Sequence, residues 1–218
     1  MENRTRHRTK KGNLLLILGV VFAISVGLLL TFLPLLFGGT WTRYTVDYGL
    51  ADNSINFIFP DSDDPVIALG PDDTVWVGSI GGVSSFDGKV WTTYANNNGR
   101  AHPISLIAIA PDGTPWVVTN IRRDGHTLRH SAVVARFENG TWNVYKTIRG
   151  AKISSIAVSL DGTLWLGSDL GSVVRRFDGA AWTKFTRDDG LEALGVNSVA
   201  VAPDGTLWVG TTGGGIVT

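Results

Sequence analysis

The side chains best suited to chemistry in this 218-residue chain gather in one stretch, NIRRDGHTLRHS, residues 120–131. It holds Arg122, Arg123, His126, Arg129 and His130. Two histidines four residues apart would face one metal ion if they lay on a helix. Gly125 and the strand-like runs on either side argue against a helix, and the three arginines would repel a cation. The same arginines suit an anionic group, which a guanidinium grips through forked, charge-assisted hydrogen bonds.

Other candidates carry less. Asp61, Asp63 and Asp64 in PDSDDP supply the oxygen ligands that calcium takes, but without the spacing of a calcium loop they read as a solvated turn. Gly213, Gly214 and Gly215 are followed by neither Lys-Ser/Thr nor a helix, so they make no phosphate loop. His7 belongs to a basic tail, and no Ser-His-Asp arrangement follows from the spacing of His102 or the others. The chain has no cysteine, which excludes disulfides, thiol catalysis and cysteine-ligated metals. The expectation is therefore a protein without catalytic residues, metal or cofactor. Arg122, Arg123, His126, Arg129 and His130 are its candidate ligand-binding residues.

What must position them is a repeat. PDDTVWVG, PDGTPWVV, LDGTLWLG and PDGTLWVG begin at residues 71, 111, 160 and 203, and place Trp76, Trp116, Trp165 and Trp208 at intervals of 40, 49 and 43. A second motif interleaves: FDGKVWTTY, FENGTWNVY, FDGAAWTKF and the shorter GGTWTRY place Trp91, Trp142, Trp182 and Trp41. These two slots account for all eight tryptophans. A period of this size marks propellers or solenoids. Each repeat reads as four strands a to d, with Asp-Gly and Asn-Gly turns supplying the positive φ of tight hairpins. In the second full repeat they are expected at 105–110, 114–119, 132–137 and 141–146. The residues from 120 to 131 then form a long b–c loop, against about four residues in the other repeats. Strands a and b are apolar on both faces, as in Val75-Trp76-Val77, which fits sheets stacked face to face.

The fold class expected is all-β, a β-propeller of about four four-stranded blades. The eight tryptophans are expected in its structural core, where each buries about 150–250 Å². The final repeat lacks a d strand, while 40–45 reads as a lone d strand. Pairing the two would close a four-bladed ring. The alternative is a fragment of a larger array.

Ahead of the repeats, residues 14–37 form 24 uncharged, apolar residues. As a helix they reach about 36 Å, enough for a hydrocarbon core of about 30 Å. The run is longer than a signal-peptide core, and FGGT is a poor cleavage site, so an uncleaved anchor is expected. Arg4, Arg6, Arg8, Lys10 and Lys11 precede it, which keeps residues 1–13 cytoplasmic and puts 38–218 outside the cytoplasm. The lipid bilayer is then a partner through 14–37. Formal net charge is zero, and no basic surface argues for nucleic acid.

The alternation of PDGTLWVG with FDG-x-x-W-T-x-Y, joined by DYGL at 47–50 and DDGL at 188–191, resembles the two-component regulator propeller repeat over about residues 40–218. The resemblance implies an extracytoplasmic propeller of the sensor type. The family's kinase, response-regulator and DNA-binding parts have no counterpart in this sequence, so the signalling role does not follow. The expected function is a membrane-anchored, non-catalytic module binding an anionic or carbohydrate ligand or a protein. Alternatives are a propeller lyase or hydrolase using the central channel, and a truncated piece of a larger sensor propeller.

Overall fold

The computed structural model describes residues 41–55, 66–95, 103–123, 129–191 and 194–218. The basic tail, the apolar segment 14–37, His7, His102, His126 and the Asp61–Asp64 turn lie outside the described residues. Among the described residues no helix is long and apolar enough to cross a membrane. The chain divides at residue 43, and everything below concerns the unit from Tyr44 to Thr218 unless Trp41 is named.

This unit is all-β, built of consecutive antiparallel sheets. The first comprises β1 (Ile67–Leu69), β2 (Val75–Ser79), β3 (Gly82–Phe86) and β4 (Trp91–Ala95). The second comprises β5 (Leu106–Ile109), β6 (Pro115–Arg123), β7 (Arg129–Glu138) and β8 (Thr141–Arg149). The third comprises β9 (Ile153–Val158), β10 (Leu164–Ser168), β11 (Val173–Phe177) and β12 (Trp182–Phe185). The last has three strands, β13 (Val196–Val201), β14 (Leu207–Thr211) and β15 (Gly215–Val217). In each sheet the strands pair in chain order, the meander of a propeller blade. Successive blades meet through their first strands, β1 with β5, β5 with β9 and β9 with β13.

The repeated turns have a local cause. In PDGT the Asp112 carboxylate accepts the Thr114 backbone N–H at 3.0 Å; Asp161 and Asp204 do the same for Thr163 and Thr206 at 3.0 and 2.9 Å. The following glycine takes a positive φ, 81° at Gly113 and 84° at Gly162, which an L side chain resists. Pro115 is the first residue of β6, where its missing N–H is tolerated.

The glycine after W-V or W-L has a different cause. A Cβ on Gly78 would meet Ile104 Cγ2 at 2.6 Å and Val66 Cγ1 at 2.8 Å; on Gly167 it would meet Val196 Cγ1 at 2.6 Å. Ile104 and Val196 enter the next blade. Glycine here lets neighbouring sheets approach closely.

The core is a series of joints between blades. Val83, Val118, Ile153, Leu164, Leu166 and Val196 are fully buried there. The aromatic slots reinforce each joint. Trp76 stacks on Tyr94 at 5.1 Å, and Tyr94 meets Phe137 of the next blade at 4.8 Å. Trp116 meets Tyr145 at 4.8 Å, and Tyr145 meets Phe177 of the next blade at 5.5 Å. Burying one such indole contributes on the order of 5 kcal/mol, an upper bound.

The expected N-terminal d strand is absent among the described residues. Residues 41–45 are not in a strand, and Trp41 is wholly exposed. Tyr44 packs instead on the first blade, 5.2 Å from Phe86 and 5.5 Å from Trp91. The chain then makes a 3-10 turn at Val46–Tyr48 and is tied down by Thr93 Oγ1 donating to the Gly49 carbonyl and the Ala51 N–H donating to Ser84 Oγ. These contacts cover the outer face of the first blade. Among the described residues no packing comparable to the other joints links the last blade to the first. Trp208, expected in the core with the other tryptophans, is 47 % exposed, because among the described residues neither a d strand nor a further blade lies over it.

Candidate functional site

The second blade is longer than its neighbours. β6, β7 and β8 have nine, ten and nine residues, against five in each of β2, β3, β4, β10 and β11. The extra length lies at one end, beyond Thr119. The expected b–c loop is therefore mostly strand: it corrects to a ladder that continues through Asn120↔Ala132, Ile121↔Ser131, Arg122↔His130 and Arg123↔Arg129. The alternation of Ile121, the β-branched and apolar run at 132–135, and support from β8 carry the pairing outward. Residues 124–128, with His126, fall between the described strand ends.

The ladder brings four of the five predicted residues to one hairpin end. Arg122 and His130 are cross-strand partners, as are Arg123 and Arg129. Cβ atoms in such pairs lie about 4.5–5.5 Å apart. His130 is half-buried. Like charges opposite each other are unfavourable in a sheet.

One member was not foreseen. Ser131 pairs with Arg149 at the end of β8, and the Gly150 N–H donates to the His130 carbonyl at 2.8 Å. Arg149 is exposed and sits beside the arginine end of the hairpin. It lies nineteen residues beyond His130 in sequence, so only the length of β8 reveals it. A hydrogen-bond clamp anchors the hairpin base. Asn120 donates to the Ile153 carbonyl at 2.8 Å and accepts the Ile153 N–H at 2.9 Å, tying the second blade to the third.

Other charged side chains pair within the fold. Arg136 pairs with Asp112, lies 2.9 Å from Glu138, and stands 5.3 Å over the Trp116 ring. Tyr145 donates to Glu138, and burial together with that carboxylate raises its hydroxyl pKa above the ordinary value. Lys152 pairs with Asp169 at 3.1 Å. Among the described residues no group of three or more His, Asp and Glu side chains converges as a metal site would require.

Two concavities occur between blades. One, lined by Val83, Tyr94, Ile104, Val117, Val133 and Trp142, encloses about 70 Å³ and is apolar, well below the 300 Å³ or so of a ligand pocket. The other, about 480 Å³, opens between the third and last blades, against Trp165, Phe185, Asp161, Arg176, Pro203 and Asp204. Trp165 and Phe185 hold the positions of Trp116 and Tyr145, so this cleft lies where Phe177 fills the preceding joint. Arg176 there stands 5.9 Å over the Trp165 ring.

Comparison with known proteins supports the fold. Residues 190–213 match the model of the "Two component regulator propeller". No curated protein matches the chain. Among solved structures, the extracellular domain of a protein described as a hybrid two component system from B. thetaiotaomicron is 14 % identical with a TM-score of 0.53, covering 81 % of this chain and 23 % of that one. A protein described as a gluconolactonase is 15 % identical with a TM-score of 0.52, covering 74 % of this chain and 62 % of that one. The chain thus spans less than two thirds of either. At these identities the likeness concerns the fold. Residues 190–213 are thus similar to one two component regulator propeller repeat, and the consecutive meander sheets share the propeller fold of the solved structures.

Proposed function

We propose that this chain is a membrane-anchored, extracytoplasmic propeller that binds and does not catalyse, and that the end of the β6–β7 hairpin takes an anionic group. The observation that carries the reading is the extension of one blade only, with Arg122, Arg123, Arg129 and His130 set in cross-strand pairs at its tip. A binding segment mounted on a rigid scaffold is a common way to place function on a repeat fold. Cross-strand partners share one face of the ladder, so the Arg123 and Arg129 pair can together grip one carboxylate, sulfate or phosphate. Residues 14–37 supply the anchor, and the basic residues before them orient it.

The test is a thermal-shift series on the full chain in detergent micelles, with heparin as polyanion, glucuronate as acidic sugar and glucose as neutral sugar. A shift with an anion that disappears in the Arg122→Ala/Arg123→Ala/Arg129→Ala variant is expected. Equal shifts in both proteins would remove the hairpin as the site. For the anchor, the chain is expected to stay in the membrane pellet after alkaline carbonate washing; release into the supernatant contradicts it.

A further inference from the structure

One position recurs in the last two strands of each complete blade, away from the first strands through which blades meet. Two residues along from the paired phenylalanine and tryptophan stands another facing pair: Ser84↔Thr93 in the first blade, Ala135↔Val144 in the second and Arg175↔Lys184 in the third. In the first blade the chain itself fills the place. Thr93 Oγ1 donates to the Gly49 carbonyl at 2.6 Å, and the Ala51 N–H donates to Ser84 Oγ at 2.9 Å. In the second the pair is apolar and borders the cavity of about 70 Å³. In the third it is two cations. The link that precedes the third blade, between β8 and β9, is only residues 150–152, against residues 186–195 between β12 and β13. It holds no segment like 49–51 that could supply a carbonyl.

Arg175 and Lys184 look into the joint with the second blade. Phe177, two residues from Arg175 on β11, packs on Trp116 and Tyr145, and side chains two apart in a strand share a face. From the opposite wall Lys146 and Ile148 of β8 enter the same joint. Ile148 is buried there, and Lys146 Nζ stands 5.7 Å over the Trp182 ring. Trp182 is two residues from Lys184 on β12. Three cations from three strands thus border one joint. Arg175 is half-buried, and its Nη1 is shielded from solvent without a hydrogen-bond partner. Burial lowers its pKa from the ordinary arginine value, yet a guanidinium stays charged. Among the described residues the ion pairs join Arg136 to Asp112 and Glu138, and Lys152 to Asp169; none includes Arg175, Lys184 or Lys146. A desolvated charged donor without an acceptor is costly, and such a group calls for an ion, ligand or water. We propose that this joint, between the second and third blades, holds a phosphate or sulfate group, gripped by the Arg175 guanidinium from within and flanked by Lys184 and Lys146 toward solvent. Both lysines are exposed, so the anion enters from solvent. Three cations suit a doubly charged oxyanion with several acceptor oxygens better than a singly charged carboxylate. The site shares no residue with the β6–β7 hairpin tip.

Isothermal titration calorimetry of the full chain in micelles, at ionic strength held constant with sodium chloride, tests the site. Inorganic phosphate and glycerol phosphate are the probes. Arg175-dependent binding of either supports the proposal, and their ratio tells a free anion from an esterified group. Arg175→Met keeps an apolar stem in the joint and should bind roughly tenfold or more weakly, with a melting temperature no lower than the parent's. Lys184→Ala changes an exposed side chain and should weaken binding about threefold, which keeps the proposal testable if Arg175→Met fails to fold. The Arg122→Ala/Arg123→Ala/Arg129→Ala variant should bind phosphate like the parent. No binding to the parent, or binding unchanged in both Arg175→Met and Lys184→Ala, overturns the proposal. So does binding lost only in the hairpin variant, which would assign the anion to the hairpin tip. The two readings therefore fail separately.

Discussion

Asp161 accepts hydrogen bonds from Ser159 Oγ and the Thr163 N–H, and these hold its carboxyl below the ordinary value of 3.8. Asp204 and Asp72 are lowered in the same way, each by its threonine, and Asp87 and Asp178 by the backbone N–H groups of their own turns. A carboxyl whose folded pKa is depressed contributes stability that is complete above the unfolded value and lost as pH falls through the lower folded one. The melting temperature should therefore hold steady near neutrality and fall as the pH drops below 3.8. Asp161→Asn keeps the turn geometry without the charge and should flatten part of that fall, as measured by melting curves across pH. A pH profile unchanged in Asp161→Asn would show that this turn contributes none of it. The blade-joint glycines provide a second residue-scale test. Gly167→Val should destabilise by about 1–3 kcal/mol in urea titration, because its side chain must displace Val196. Gly210→Val should cost less, since the nearest atom is the hydroxyl oxygen of Ser198, which can rotate away.

At the scale of elements, the tryptophans of one slot differ by what covers them. Trp116 is 2 % exposed between β8 and the third blade, and Trp116→Ala should cost about 3–5 kcal/mol. Trp208→Ala should cost well under half of that in dilute protein, measured by the same titration. Equal losses would mean that Trp208 is covered in solution. The β6–β7 hairpin is separable from the core by the same criterion. Its base is clamped by Asn120 to Ile153. Changing its arginines should leave the melting temperature within about a degree or two of the parent, as expected for surface substitutions.

For the molecule as a whole, residues 44–55 lie over the first blade, while among the described residues β15 pairs on one side only and Trp208 is half exposed. Unpaired edges invite strand addition.

The sequence by itself determined the local grammar of this protein. Period, turn residues and tryptophan slots are local features, so PDGT and FDG turns, the meander order and the short last sheet could be read from Thr74, Gly113 or Trp182 without any long-range knowledge. The arginine hairpin was also visible, because an insertion against a repeat stands out. What the tertiary structure decided depends on pairing between distant residues. Arg122 and His130 became strand neighbours because β8 lies alongside and extends the ladder, which also brought in Arg149. Trp208 stands in the same motif slot as Trp76 and Trp116, which are buried, yet it is 47 % exposed, because burial belongs to the neighbour that a position receives and among the described residues none lies over it.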